Sequence, residues 1–140
     1  MARRQPVRRR LVLDNEAASA LLRGPATKRR QVVEALAAAD GGAVVPTAAR
    51  ADVIWDRRAS HVAPANQLVP DDDPLDQVGA NRAAELRRMV PTASVVDACV
   101  AVAAERAAAK GGPAEILSSD RSDMAALAVV INGRFDLRWL

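Results

Sequence analysis

Ser94-Val95-Val96-Asp97-Ala98-Cys99-Val100-Ala101-Val102 is the stretch on which the fold of this chain turns. Wound as a helix, it is apolar on nearly every face, which marks a buried helix. It nevertheless carries a carboxylate one turn in. An ionised Asp in an apolar wall is costly unless it is hydrogen-bonded, paired with a charge or bound to a metal. A capping box accounts for it locally: Ser94 is the N-cap and Asp97 stands three residues on, near the positive end of the helix dipole. A functional account needs similar acids from elsewhere in the chain to gather at the same place.

That helix runs from Ser94 to about Lys110 and stops at Gly111-Gly112-Pro113. Beyond it, Ile116-Leu117 reads as a strand, and Ser118-Ser119-Asp120-Arg121-Ser122-Asp123 leads into a helix ending near Ile131. Phe135 to Trp139 is the last strand. Ahead of the central helix, Leu11-Val12-Leu13 is a short strand ended by Asp14, and Glu16 to Leu22 is a helix broken by Gly24-Pro25. Thr27 to Asp40 is a second helix, with Val32, Val33, Leu36 and Ala39 on one face, halted by Gly41-Gly42. Ala43 to Val45 is a strand closed by Pro46. Thr47 caps a helix expected to reach about Arg58, taking in Asp52 and Trp55. Ser60 to Gln67 reads as a loop that exposes the single histidine, His61, and Leu68-Val69 as a third strand. Asp71-Asp72-Asp73 and Pro74 read as acids loading the start of a helix that ends near Met89. The resulting order predicts an α/β fold, a mostly parallel sheet covered by helices, in one domain over residues 11–140.

Composition narrows the function. The chain has 140 residues, enough for one domain with a real core. Aromatics are confined to Trp55, Trp139 and Phe135, which argues against the stacking platforms that bind single strands. Arg3, Arg4, Arg8, Arg9 and Arg10 crowd the start; without those five, 15 basic side chains face 17 acidic ones. The basic charge therefore belongs to an arm over residues 1–10, suited to nucleic acid or an acidic partner, or simply solvated. Cys99 is the only cysteine and reads as a core residue. No run is long and apolar enough for a membrane span, and the charged start lacks a secretory segment, so a cytoplasmic protein is expected.

The chemistry lies in the acids. Asp14 and Asp120 each follow an apolar strand, and in a parallel sheet the carboxyl ends of the strands line one crevice. Helices packed on the sheet can bring Asp97 and Asp52 to the same rim, and Asp123 stands one turn beyond Asp120. Carboxylates gathered there raise one another's pKa values unless a cation neutralises them. An oxygen-only ligand set suits a hard ion, Mg2+ or Mn2+. No Cys–His or Ser–His pair, Gly-rich phosphate loop or zinc spacing competes with it.

Four blocks in order carry a family resemblance: Leu11-Val12-Leu13-Asp14, Val44 to Val53 around Asp52, Ser94 to Ala98 around Asp97, and Ile116 to Asp123. With them the chain resembles a PIN domain, and specifically the VapC-type ribonuclease toxins of bacterial toxin–antitoxin pairs. The resemblance implies a PIN-like α/β/α sandwich and a Mg2+- or Mn2+-dependent endoribonuclease acting on selected RNAs, often tRNA or rRNA. It also implies a homodimer and a cognate VapB-type antitoxin. Transferred by position, Asp14 and Asp97 are the principal metal ligands, and Asp120 with Asp123 completes the cluster. Asp52, which with Asp14, Asp97 and Asp120 forms the catalytic set, stands where the family usually has Glu. Glu16 stands where Ser or Thr is common. These departures motivate an alternative, a degenerate PIN domain that binds RNA or a protein partner without cutting. A phospho-acceptor receiver domain fits poorly: it wants paired acids after the first strand and a Lys after the last, whereas Asn15 follows Asp14 and the only lysines are Lys28 and Lys110.

Overall fold

Leu11, Val12 and Leu13 are completely buried, and the period of two along a strand sends their side chains into two different cores. They belong to β1 (Arg10–Leu13), the middle strand of a five-stranded sheet in a computed structural model that describes residues 8–140. The other strands are β2 (Ala43–Pro46), β3 (Asp71–Asp73), β4 (Ala114–Ser118) and β5 (Phe135–Trp139), in the order β3-β2-β1-β4-β5. Every neighbouring pair is parallel, so the mostly parallel sheet expected from the sequence is wholly parallel among the described residues.

The helices are α1 (Asn15–Arg23), α2 (Ala26–Ala38), α3 (Thr47–Asp52), α4 (Ala63–Leu68), α5 (Gln77–Met89), α6 (Val95–Ala109) and α7 (Arg121–Val130). Val12 and Ile116 point to one face, where they meet α6, Leu86 of α5, and Met124 and Leu127 of α7. Leu11, Leu13 and Leu117 point to the other, against Ala17 and Leu21 of α1, Val32 of α2 and Trp55. Helix α6 is the buried helix that its sequence demands. Its alanines and valines from Ala98 to Ala104 are almost wholly shielded, and their small size lets it lie close across β1, β2 and β4.

The region between β2 and α5 departs from expectation. Helix α3 ends at Asp52 rather than near Arg58, because the chain turns through Ile54 at φ 58°, a left-handed conformation that interrupts a helix. Ser60 to Leu68 is not a loop: a short 3-10 turn leads into α4. The third strand is Asp71–Asp73, not Leu68-Val69, and it pairs with Val44, Val45 and Pro46. The acidic triplet therefore does not load a helix start; Asp76 caps α5 instead, accepting from the Gly79 N–H at 2.7 Å.

Aspartate is a poor strand former, and long-range pairing overrides that here. Arg50 holds Asp72 through two bonds of 2.8 and 2.9 Å, Arg57 adds a third at 2.7 Å, and Arg106 reaches Asp73. Burial works against the charge on Asp72, but the Arg57 and Arg50 guanidiniums outweigh it and keep its carboxyl below the usual range. Asp72→Ala leaves two half-buried guanidiniums without their partner. It is expected to cost about 2 kcal/mol, read as a lower urea midpoint at constant slope.

Of the basic arm expected over residues 1–10, residues 1–7 lie outside the described residues. Arg9 pairs with Glu115 at 3.2 Å and Asp136 at 3.4 Å, and Arg10 opens β1. Among the described residues no helix is long and apolar enough to cross a membrane.

Candidate metal centre

The strand order reverses between β1 and β4, and the carboxyl ends of these two neighbours open the crevice in which α/β proteins bind ligands. Asp14 leaves β1 there. Its N–H donates to the Leu117 carbonyl at 3.2 Å, and its Oδ1 accepts from the Ala17 N–H at 2.8 Å as the N-cap of α1. The side chain is fully buried, and its Oδ2 has no hydrogen-bond partner among the described residues. Burial raises its pKa; the Ser118 side chain and the Ala17 N–H pull the other way, while the charge of Glu16 adds to the rise.

Asp120 follows β4 and caps α7, with its Oδ1 accepting from the Asp123 N–H at 3.4 Å. Its own N–H donates to Ser118 Oγ at 3.0 Å, so the last residue of β4 anchors the turn that presents it. Asp123 accepts from the Thr92 hydroxyl at 2.6 Å. Asp97 enters from α6, where its N–H donates to Ser94 Oγ at 3.0 Å. The cap read from the sequence is thus real, and it coexists with a second role. Asp97, Asp120 and Asp123 each offer an oxygen, all within 4.8 Å of one another.

The most buried of the three is the one whose charge this crowding opposes. Burial, then a hydrogen bond to Asp120 and the charge of Asp120, push Asp97 up to about 7, against the opposing pull of Ser94. Asp97 therefore keeps its proton to a far higher pH than an ordinary aspartate does. The donor set is oxygen throughout, and its span is one that a hard cation with bonds of about 2.1 to 2.4 Å bridges. Together with the unpartnered buried oxygen of Asp14 on the same edge, this arrangement fits a divalent metal ion.

The residues expected from the sequence therefore divide. Asp97, Asp120 and Asp123 converge; Asp14 leaves the same edge of the sheet, with Ser118 beside both it and Asp120, but is not one of the three that offer oxygens within 4.8 Å of one another. Asp52 stands apart: it is exposed at the end of α3 and accepts from the Asn15 side-chain amide at 2.8 Å. Glu16 is exposed and outside the cluster. The supporting residues were harder to foresee. Ser118 has a local signal, a hydroxyl residue two positions before a capping Asp. Thr92 has none, since only the packing of the α5–α6 connection on α7 brings it to Asp123.

No family model matches the chain, and no curated protein does either. Among solved structures, it is similar to one described as FitAB bound to an IR36 DNA fragment. The TM-score is 0.61 at 17% identity, covering 93% of this chain and 96% of that one. At that identity the likeness is one of fold. The described chain is a PIN-like α/β/α sandwich with an all-parallel sheet.

Proposed function

We propose that the chain is a metal-dependent endoribonuclease of the VapC type, acting as the toxin of a toxin–antitoxin pair. The observation that carries this reading is the meeting of Asp97, Asp120 and Asp123 at the strand switch point. In this reading these three hold Mg2+ or Mn2+, and Asp14 completes the set through the oxygen that otherwise lacks a partner. A hard divalent cation bound there supplies Lewis acidity toward water and phosphate oxygens. The chain's own groups do the rest. Asp97 supplies a buried carboxylate oxygen, and Ser118 fixes the Asp120 backbone so that its side chain can orient the attacking water. Asp52, bonded to Asn15 beside the first strand's end, is kept in this reading as a catalytic group that acts only once RNA is bound.

The partners belong to the same proposal: selected RNA as substrate, with tRNA or rRNA first, a VapB-type antitoxin, and a second copy of the chain. The likeness to FitAB, solved bound to a DNA fragment, supports a chain that works beside a DNA-binding partner. Exposed Leu75 and Val95, which line one groove with Ala80 and Ala84, support a homodimer. A cytoplasmic site of action is the setting this reading requires.

Purified protein is expected to cut single-stranded regions of pooled tRNA and rRNA at discrete positions with Mg2+ or Mn2+, and to stop in excess EDTA. Cleavage that persists in EDTA overturns the metal role. The second reading, a PIN domain that binds RNA or a partner without cutting, is favoured by one observation: Asp52 is exposed and outside the acid cluster, one methylene shorter than the Glu common there. Metal-independent retention of RNA on native gels, without fragments, decides for it.

A further inference from the structure

Arg121 follows Asp120 directly and precedes Asp123 by two positions, yet among the described residues it pairs with neither. Other arginines that approach a carboxylate bond to it: Arg50 with Asp72, Arg82 with Glu105, Arg106 with Asp76. The Arg121 guanidinium carbon stands instead 5.6 Å from the centroid of the Trp139 ring. Trp139 is well anchored. It is in register with Ser118 across the parallel β4–β5 pair, and it packs against the core formed by α5, α6 and α7. Ser118 is the residue that accepts from the Asp120 N–H and lies beside Asp14. The Arg121–Trp139 pair thus occupies the same edge of the sheet as the acids, one strand away.

Stacking has a chemical consequence that a salt bridge lacks. A guanidinium held over a ring uses its face, and its N–H donors remain free at the edge. Beside a cluster of carboxylates, a polyanion is repelled unless a cation meets it. An exposed arginine with unused donors supplies that cation and matches a phosphate geometrically. From this arrangement we infer that Arg121, positioned by Trp139, binds a backbone phosphate of single-stranded RNA next to the one that is cut. The inference rests on the nuclease reading and deepens it. Trp139 positions the guanidinium and does not itself stack a base, which agrees with the scarcity of aromatics in the chain.

The test is binding of a fluorescein-labelled single-stranded RNA followed by anisotropy across a salt series, in an Asp97→Asn background so that nothing is cut. Adding Arg121→Gln is expected to weaken binding about fivefold and to reduce the slope of log affinity against log salt by about 0.7, the contribution of one phosphate contact. Trp139→Leu is expected to do the same, and Trp139→Phe, which keeps a ring, to restore the slope. In the cleaving protein, Arg121→Gln is expected to raise KM with little change in kcat. A merely structural role lowers the melting temperature and leaves the salt slope alone; an unchanged slope and affinity in Arg121→Gln overturns the inference. If the parent protein cuts RNA and Arg121→Gln is indistinguishable from it, only this assignment falls. If the parent neither binds nor cuts RNA, the nuclease reading falls and takes the inference with it.

Discussion

Asp97→Asn is expected to lower kcat/KM for RNA cleavage by about a thousandfold and, in the same protein, to raise stability above pH 7. Both effects come from one carboxyl group. Asp97 sits only 5% exposed in the first turn of α6, within 4.8 Å of two further carboxylates at the ligand atoms. Its charge is needed only when a cation is present. Removing a ligand that supplies roughly 4 kcal/mol of charge stabilisation corresponds to that thousandfold loss. In the metal-free protein the same charge is a burden, because it is buried and faces Asp120. Asparagine keeps the shape and can still donate to Asp120, so relief of the burden is expected to appear as a higher urea midpoint at pH 8. Single-turnover cleavage within tenfold of the parent would sink the assignment. Asp14 is best tested as Asp14→Asn, since Asn also caps helices well, whereas Asp14→Ala removes the bond to Ala17 and costs about 1 kcal/mol on its own. Asp14→Asn is expected to lose cleavage while its melting temperature stays within a few degrees.

The second large effect is a stability that runs opposite ways with pH in the absence and presence of metal. Asp97 ordinarily titrates near 3.8 and is pushed up to about 7 in the folded chain. Between those values the native state holds a proton that the unfolded chain has released. Stability of the metal-free protein therefore falls as pH rises through that window, by up to about 1.4 kcal/mol per pH unit from this group, and stays low above it. Asp14, also raised by burial, adds in the same direction. The paired carboxylates act oppositely: Asp72, Asp76 and Glu105 are held below their usual range, so their contribution is lost only as pH falls below it. Metal-free protein is thus expected to be most stable near pH 4 to 5. A divalent cation binds the ionised site, so millimolar Mg2+ or Mn2+ is expected to raise the melting temperature by several degrees at pH 8 and hardly at all at pH 5. The shift should vanish in Asp97→Asn. A metal shift that is independent of pH, or that survives this substitution, contradicts the site.

Legibility from sequence followed the range of the interaction concerned. Strands β1 and β4, helix α6 and the caps at Asp14, Ser94 and Asp120 were readable because each is written in a few adjacent residues. The failures cluster between Val53 and Asp76. There the local pattern pointed to a strand at Leu68-Val69, while Arg50, Arg57 and Arg106, distant in the chain, made a strand of three aspartates instead. No periodicity signals an arginine clamp. The surroundings of Asp52 were hidden for a similar reason: its neighbours in the helix suggested a shared apolar face, but α3 ends at that residue and leaves it exposed, bonded to Asn15.

By itself the sequence determined the layered α/β architecture and four acids at strand ends and helix starts, because hydrophobic period and cap chemistry act over three or four residues. Which acids meet was decided by the tertiary structure alone. The separation between Asp97 on α6 and Asp120 before α7 is set by how a helix of small residues lies across the central strands. Only that packing turns a first-turn acid and a helix cap, each ordinary in its own segment, into neighbouring carboxylates.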